Sequence, residues 1–281
     1  MQRYVYRFLV TEPSVGALLR EWRARRRVSQ LDLSLGVGVS ARHLSFIETG
    51  RSRPSAEMVL ALADGLDIPL RERNTLLLAA GYAPRYQTRP LDDDALTPAR
   101  SALQRLLDAH HPYPGVVIDR CWNIVQANAA ASAMTAGLPQ SLLGPPANVY
   151  RICLHPDGLA GRTLNFDEWA AYLVNQLRRT IALTGDATLQ ALHEEVLSYP
   201  GVKAASTHRG PPDNAALLIP FQLEIAGGQR LSMFTTLTTF GTPLDVTLDE
   251  LAVELFYPVD SESAELLRNA GASAVTPGGQ G

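Results

Sequence analysis

Cysteine is scarce in this chain. Cys121 and Cys153 are its two cysteines in 281 residues, and neither sits in a CxxC pair or at metal-ligand spacing. That pattern argues against a disulfide-stapled scaffold or a zinc ribbon and fits two reduced thiols. Long apolar runs are missing as well: no stretch approaches the roughly 20 residues that a membrane span needs. The first residues, MQRYVYRFLVTEP, hold too short an apolar run for a secretory signal and no small-residue cleavage site, so residues 1–13 read as a loose extension. Catalytic signatures are also wanting. There is no GxSxG, no HExxH and no phosphate loop, and LGVGV does not fit GxGxxG. His110, His111, His155, His193 and His208 are scattered without ligand spacing. These residues lead us to expect no metal, no cofactor, no enzyme, no membrane contact and a cytoplasmic protein.

What is present is an ordinary globular composition, 46% apolar and 19% charged, with length enough for two modest domains. The net charge of −3 hides an asymmetry. Residues 1–86 hold 13 arginines against 8 acidic residues, a balance of +5; residues 87–281 hold 12 basic against 20 acidic, a balance of −8. A basic front joined to an acidic back suggests that the first part meets a polyanion and the second does not.

Periodicity predicts five short helices in the basic part. Val15, Leu18, Leu19 and Trp22 share one helical face, with Arg20, Arg23, Arg25, Arg26 and Arg27 on the other. Ser29, with Asp32 three residues on, starts a second helix that stops at GVGV. Ser40 starts a third, with Leu44 and Ile47 inward and Gly50 as its stop. Val59, Leu62, Ala63 and Leu66 line a fourth, and PLRERNTLLLAAGY makes a fifth. A short helix, a turn containing Gly38 and a helix beginning at Ser40 form a helix-turn-helix pattern. Its outward face carries Ala41, Arg42, Ser45 and Thr49, with His43 and Phe46 at the margins. Arg42 suits a guanine edge, Ser40 and Ser45 suit base edges or phosphates, Arg51 and Arg53 suit phosphates, and Gln30 opens a helix N-terminus that can grip one. Arginines on a helix also form plain solvated faces, and two-helix turns occur in proteins that never meet DNA.

Residues 15–80 resemble the phage-repressor (Xre-type) helix-turn-helix domain, carried by Gln30, Leu33, Gly38, Ser40, Leu44, Ile47, Glu48, Gly50 and Pro54. The resemblance implies an ion pair between Arg23 and Glu48, and DNA-facing roles for Gln30, Ser40, Ala41, Arg42 and Ser45. Ser34 departs from the family pattern by standing where alanine is usual, and apolar Phe46 by standing at a place open to a polar base-reader, where it suits contact with a thymine methyl.

Residues 83–96, with two prolines and Asp92–Asp94, read as a linker. Thr97-Pro98 opens a helix to about Ala109, lined by Leu103, Leu106 and Leu107, which docks on the second domain or on a partner chain. GVVID and WNIVQAN then read as two strands. A helix starts at Ala129, a long one runs through FDEWAAYLVNQLRRTIALTG, and another spans Leu189–Leu197. LLIPFQLEI alternates as a strand with Leu217, Ile219, Phe221, Leu223 and Ile225 on one face, and RLSMFTTLTTF and ELAVELFYP supply two more. The expected domain is α+β, with helices on one face of the sheet. Trp122, Asn128, Trp169, Leu173, Leu177, Phe221, Met233 and Phe234 are candidate cavity residues, and each equally suits a plain core. The end of the chain, residues 269–281, reads as a flexible tail.

HPYPGVVIDRCWNIVQANAAA, NVYRICLHPDG and TTFGTPLDVTLDELAVELFYP resemble the ligand-binding domain of MmyB-like transcription regulators. Together the two resemblances cover about residues 15–268. They imply a lambda-repressor-like helical domain over 14–82, a linker and connecting helix over 83–110, and a PAS-like domain with a five-stranded antiparallel sheet over 111–268. They also imply a small apolar ligand such as a fatty acid. The expected protein is a homodimeric DNA-binding regulator, its two recognition helices meeting double-stranded DNA one turn apart. An enzyme acting on acyl substrates and a ligand-free dimerisation module stay open as alternatives.

Overall fold

The computed structural model describes residues 13–207 and 217–275, with side chains to residue 271. Residues 1–12 of the expected extension, His208 and residues 276–281 of the expected tail lie outside the described residues. The described chain divides into two units, one formed by residues up to Arg89 together with 243–249, the other by 90–242 and the residues from 250 onward.

The first unit is helical: α1 Val15–Arg26, α2 Gln30–Val37, α3 Ala41–Glu48, α4 Ala56–Gly65 and α5 Leu70–Ala79. Serine caps the first four. Ser14, Ser29, Ser40 and Ser55 accept from the N–H groups of Ala17, Asp32, His43 and Met58 at 3.1–3.3 Å, satisfying donors that the helix itself leaves open. The fifth helix follows Pro69, which has no capping side chain. Its first N–H, on Leu70, is instead accepted by Asp249 Oδ2 at 3.1 Å. The segment carrying Asp249 is held further by an Arg89 Nη1–Asp245 Oδ2 ion pair of 2.5 Å, by Val246 N–H donating to the Gln87 carbonyl at 2.8 Å, and by burial of Val246. Leu19, Leu33, Leu44, Ile47, Val59, Leu62 and Leu76 close the core.

The second unit contains α6 Thr97–Ala109, β1 Gly115–Ile118, β2 Ile124–Ala127, α7 Ala129–Met134, α8 Gln140–Leu143, α9 Val149–Leu154, α10 Phe166–Thr184, α11 Ala187–Leu197, α12 Val202–Ala205, β3 Phe221–Ile225 and β4 Gln229–Thr239. After α13 Val246–Asp249, which belongs to the first unit, come β5 Ala252–Pro258 and α14 Ser261–Val275. The strands form one antiparallel sheet in the order β2-β1-β5-β4-β3. Period-2 alternation sends Val116, Phe221, Leu223, Leu231 and Met233 to the same core as Trp169, Leu173 and Leu177 of α10.

Four expectations are corrected here. The strand expected from Leu217 begins at Phe221: Pro220 has no N–H to give a ladder, and Leu217 is 93% exposed. The tail expected from residue 269 is helical to Val275. Residues 83–89 of the expected linker belong to the first unit. The sheet is also not covered on one face alone. A Cβ on Gly115 would lie 3.1 Å from Leu107 of α6, on the face opposite Val116, so α6 docks on the sheet of its own unit.

Candidate nucleic-acid interface and ligand cavity

The turn between α2 and α3 is set by Gly38, whose φ of +76° is a conformation that side chains with a Cβ resist. Val39 N–H donates to the Ser34 carbonyl at 2.9 Å, closing α2 before Ser40 caps α3. Leu44 and Ile47 are fully buried and fix which face of α3 points in. The end of α3 is held against the start of α1 at a distance only glycine permits: a Cβ on Gly16 would stand 2.4 Å from the Ile47 carbonyl oxygen.

Glu48 anchors this arrangement. Its side chain is 1% exposed, and Arg23 meets it through two parallel bonds, Nε to Oε1 at 2.8 Å and Nη2 to Oε2 at 3.0 Å. Gln30 Nε2 donates to Oε2 at 2.7 Å, and Arg20 Nη2 donates to the Glu48 carbonyl at 2.6 Å. Burial pushes the Glu48 carboxyl up, but the bonds from Arg23 and Gln30 and the charges of Arg23 and Arg20 outweigh it and hold it below its ordinary value. Its hydrogen bond to Glu48 likewise raises Arg23. The pair expected from the resemblance is thus formed.

The outward face of α3 carries exposed Arg42 and Thr49, with Ala41, His43, Ser45 and Phe46 half-buried. The Arg42 guanidinium lies 5.4 Å from the Phe46 ring centre, and exposed Arg51 lies 6.0 Å from the same ring. Two of the side chains expected to meet DNA bond within the protein. Arg53 donates through Nε and Nη2 to the Ala80 carbonyl, at 3.1 and 2.9 Å, and lies over Tyr82, so its guanidinium is held at the end of α5. Gln30 turns its amide inward to Glu48, leaving its backbone N–H at the start of α2 as the group aimed outward.

The second unit holds a cavity of about 280 Å³, near the lower end of the roughly 300–1,000 Å³ usual for ligand pockets. Its wall is built from Ala129, Ala130, Ala133 and Met134 of α7, Leu223, Ile225 and Leu231 of the sheet, and Leu266, Leu267 and Ala270 of α14. His111 and Arg162 add the polar groups. Arg162 is half-buried, and its Nε donates to the Glu224 carbonyl at 3.2 Å. A smaller cavity of about 50 Å³ shares Met134 and is lined by Phe221, Cys153, Ile152 and Glu254, among others.

The sequence model for the MmyB-like transcription regulator ligand binding domain matches residues 99–270, more than half of the chain. The chain belongs to the MmyB-like transcription regulators. A helix-turn-helix family model matches residues 19–73, so this regulator pairs a DNA-binding domain with a ligand-binding one. No functionally curated protein matches it. Among solved structures it is similar to the clp gene regulator ClgR from Corynebacterium glutamicum, at 28% identity over 36% of this chain and 98% of that one, with a TM-score of 0.22. It is also similar to an RNA-binding light-oxygen-voltage receptor, at 13% identity over 98% of this chain and 68% of that one, with a TM-score of 0.29.

In this MmyB-like regulator the expected cavity residues are mostly core. Of the eight, Phe221 lines the smaller cavity. Trp169 stacks on Phe221 at 4.7 Å, Trp122 meets Tyr150 edge-on at 5.1 Å, and Leu173, Leu177 and Met233 are buried in the core. Phe234 points to the other face of the sheet and stacks on Tyr257 at 5.3 Å. Asn128 is fully engaged: Oδ1 accepts from Gly115 and Ala131, and Nδ2 donates to the Leu107 and Tyr113 carbonyls. Aromatic size drew the sequence reading to packed interior. The usable signal was the opposite, the run AAASAM, whose small side chains leave room beside α7. Glu254 was missed altogether. It is buried in the middle of β5, its Oε2 has no partner among the described residues, and burial pushes its carboxyl up to about 7 despite the opposing Thr235 hydroxyl.

Proposed function

We propose that this regulator binds duplex DNA as a homodimer through α3 and changes its affinity when the second unit takes up a fatty acid. The observation that carries the ligand half is the lining of the 280 Å³ cavity, aliphatic on α7, the sheet and α14, with Arg162 as its cation. An acyl chain matches such a wall, burying apolar surface at roughly 25 cal/mol per Å². A carboxylate head matches the guanidinium, which binds planar anions in a fork. Among the described residues, those lining this cavity include no serine, threonine or cysteine, which supports a sensor over a hydrolase of acyl substrates. For the DNA half, a single α3 offers few base contacts, so two copies on half-sites one turn apart make the economical arrangement.

A ligand moves DNA affinity only through a difference in its own affinity for two conformations, typically giving a change of about 5- to 150-fold. The test is native mass spectrometry of purified protein, followed by DNA binding with and without added medium- and long-chain fatty acids. We expect a retained acyl mass in the wild type, its loss in Arg162→Ala, and a fatty-acid-dependent shift in DNA affinity that the variant lacks. Equal acyl retention in Arg162→Ala and the wild type would remove the head-group assignment.

A further inference from the structure

The exposed arginines of α3 and its following turn do not hang free in solvent. Arg42 and Phe46 are four residues apart on one helix, so they share a stripe, and the tilt of helical side chains toward the N-terminus brings the ring back to the guanidinium. The observed distance is 5.4 Å from the Arg42 guanidinium to the ring centre. Arg51 comes from outside the helix, yet it is bound to the same residue through the main chain. Its N–H donates to the Phe46 carbonyl at 2.8 Å, Ser52 N–H donates to that carbonyl at 3.1 Å, and the Arg51 guanidinium sits 6.0 Å from the Phe46 ring. Both distances are within the range at which a cation is attracted to the face of a ring. Arg53, two residues further on, is drawn away to the Ala80 carbonyl.

We infer that Phe46 is a positioning residue for DNA recognition, whose ring holds Arg42 and Arg51 as one two-armed donor. The inference rests on the reading of α3 as the DNA-contacting helix and adds to it how the contact is made selective. An arginine gains base discrimination by placing two N–H groups against one guanine edge, which requires a fixed guanidinium plane. Long arginine side chains are otherwise rotamer-rich, and ordering each on binding has a cost. The ring carries that ordering before DNA arrives. It also links the base-reading arm, Arg42, to the arm suited to a phosphate, Arg51, so that register along the backbone and choice of base are set together. This explains an apolar residue on an otherwise polar face: Phe46 acts through its two neighbours.

The test starts by selecting preferred sequences from a random-sequence duplex library with the full-length wild-type protein. Binding to the selected duplex and to a scrambled duplex is then measured for Phe46→Leu, Phe46→Tyr and Arg42→Ala, and for Arg42→Ala in the Phe46→Leu background. We expect Phe46→Leu to lower the ratio of selected to scrambled affinity by about 3- to 10-fold, the scale of one or two exposed cation–π contacts. Phe46→Tyr, which keeps the ring, should retain the wild-type ratio, with thermal unfolding unchanged in both. Arg42→Ala should then cost less selectivity in the Phe46→Leu background than alone. A Phe46→Leu ratio within twofold of wild type, or equal losses for Leu and Tyr, overturns the inference while leaving DNA binding by α3 intact. A wild-type protein that enriches no sequence overturns that underlying reading, and the inference with it.

Discussion

Among the described residues, each unit buries one glutamate in its interior, and the two are treated in opposite ways. Glu48 of the first unit receives Arg23 in a two-bond fork, Gln30 on its second oxygen and the charge of Arg20, and its carboxyl is held below the ordinary value. Glu254 of the second unit lies among Tyr150, Tyr172 and Cys153, faces the Thr235 hydroxyl, keeps one oxygen without a partner among the described residues, and is pushed up to about 7. The comparison teaches that burial alone does not decide the state of a carboxyl. A buried charge with its counter-ion and donors in place is a fixed structural bolt. The same group without them stays protonated up to neutral pH and ties the stability of its surroundings to acidity.

The sharpest way to break this comparison is to remove the counter-ion from the first glutamate. Arg23→Ala strands a buried carboxylate and should destabilise the first unit by about 3–5 kcal/mol, measured by chemical unfolding. If the loss is instead the 0–1 kcal/mol typical of a surface pair, Glu48 is not the bolt we describe.

Neutralising the other glutamate comes next. Because the folded state holds Glu254 above its unfolded value, its protonated form is the favoured one. The contribution is complete below the ordinary carboxylate range and is lost as pH rises through about 7. Glu254→Gln should therefore abolish that decline and stabilise the second unit above pH 7 by up to about 3 kcal/mol. Identical unfolding curves for variant and wild type from pH 5 to pH 8 would contradict the assignment.

The smallest effect sharpens the boundary between the units. Asp249→Ala removes the acceptor for Leu70 N–H and should cost the first unit about 1 kcal/mol, as helix caps do. Amide exchange at Leu70 should quicken while the sheet amides keep their rates. Quickening in the sheet with α5 unaffected would show that Asp249 supports the other unit.

Local chemistry was legible in the sequence wherever its cause was local. Ser29 and Ser40 each announce a helix start within four residues of the donor they satisfy, and Gly38 marks the turn by its own conformation. The Arg23–Glu48 pair spans 25 residues and was expected only from the resemblance. Features with distant causes were not readable. The partner of Leu70 N–H lies 179 residues away, and Arg53 is held by the Ala80 carbonyl, 27 residues on, at the end of α5. Cavity residues were misjudged for a related reason. A space is made by what is small or withdrawn around it, such as Ala129, Ala130 and Ala133, whereas composition draws the eye to the large side chains that fill space elsewhere.

The acceptor at the head of α5 has a practical consequence. The helical unit is encoded in two separated pieces, since residues 243–249 complete it from between β4 and β5. Cutting the gene after Arg89 would yield a DNA-reading fragment with an open helix end, an Arg89 without its Asp245 counter-ion and no Val246 to seal its side. A chimera that imports a foreign sensor at the linker inherits the same defect, unless the heptapeptide from Pro243 to Asp249 travels with the first eighty-nine residues.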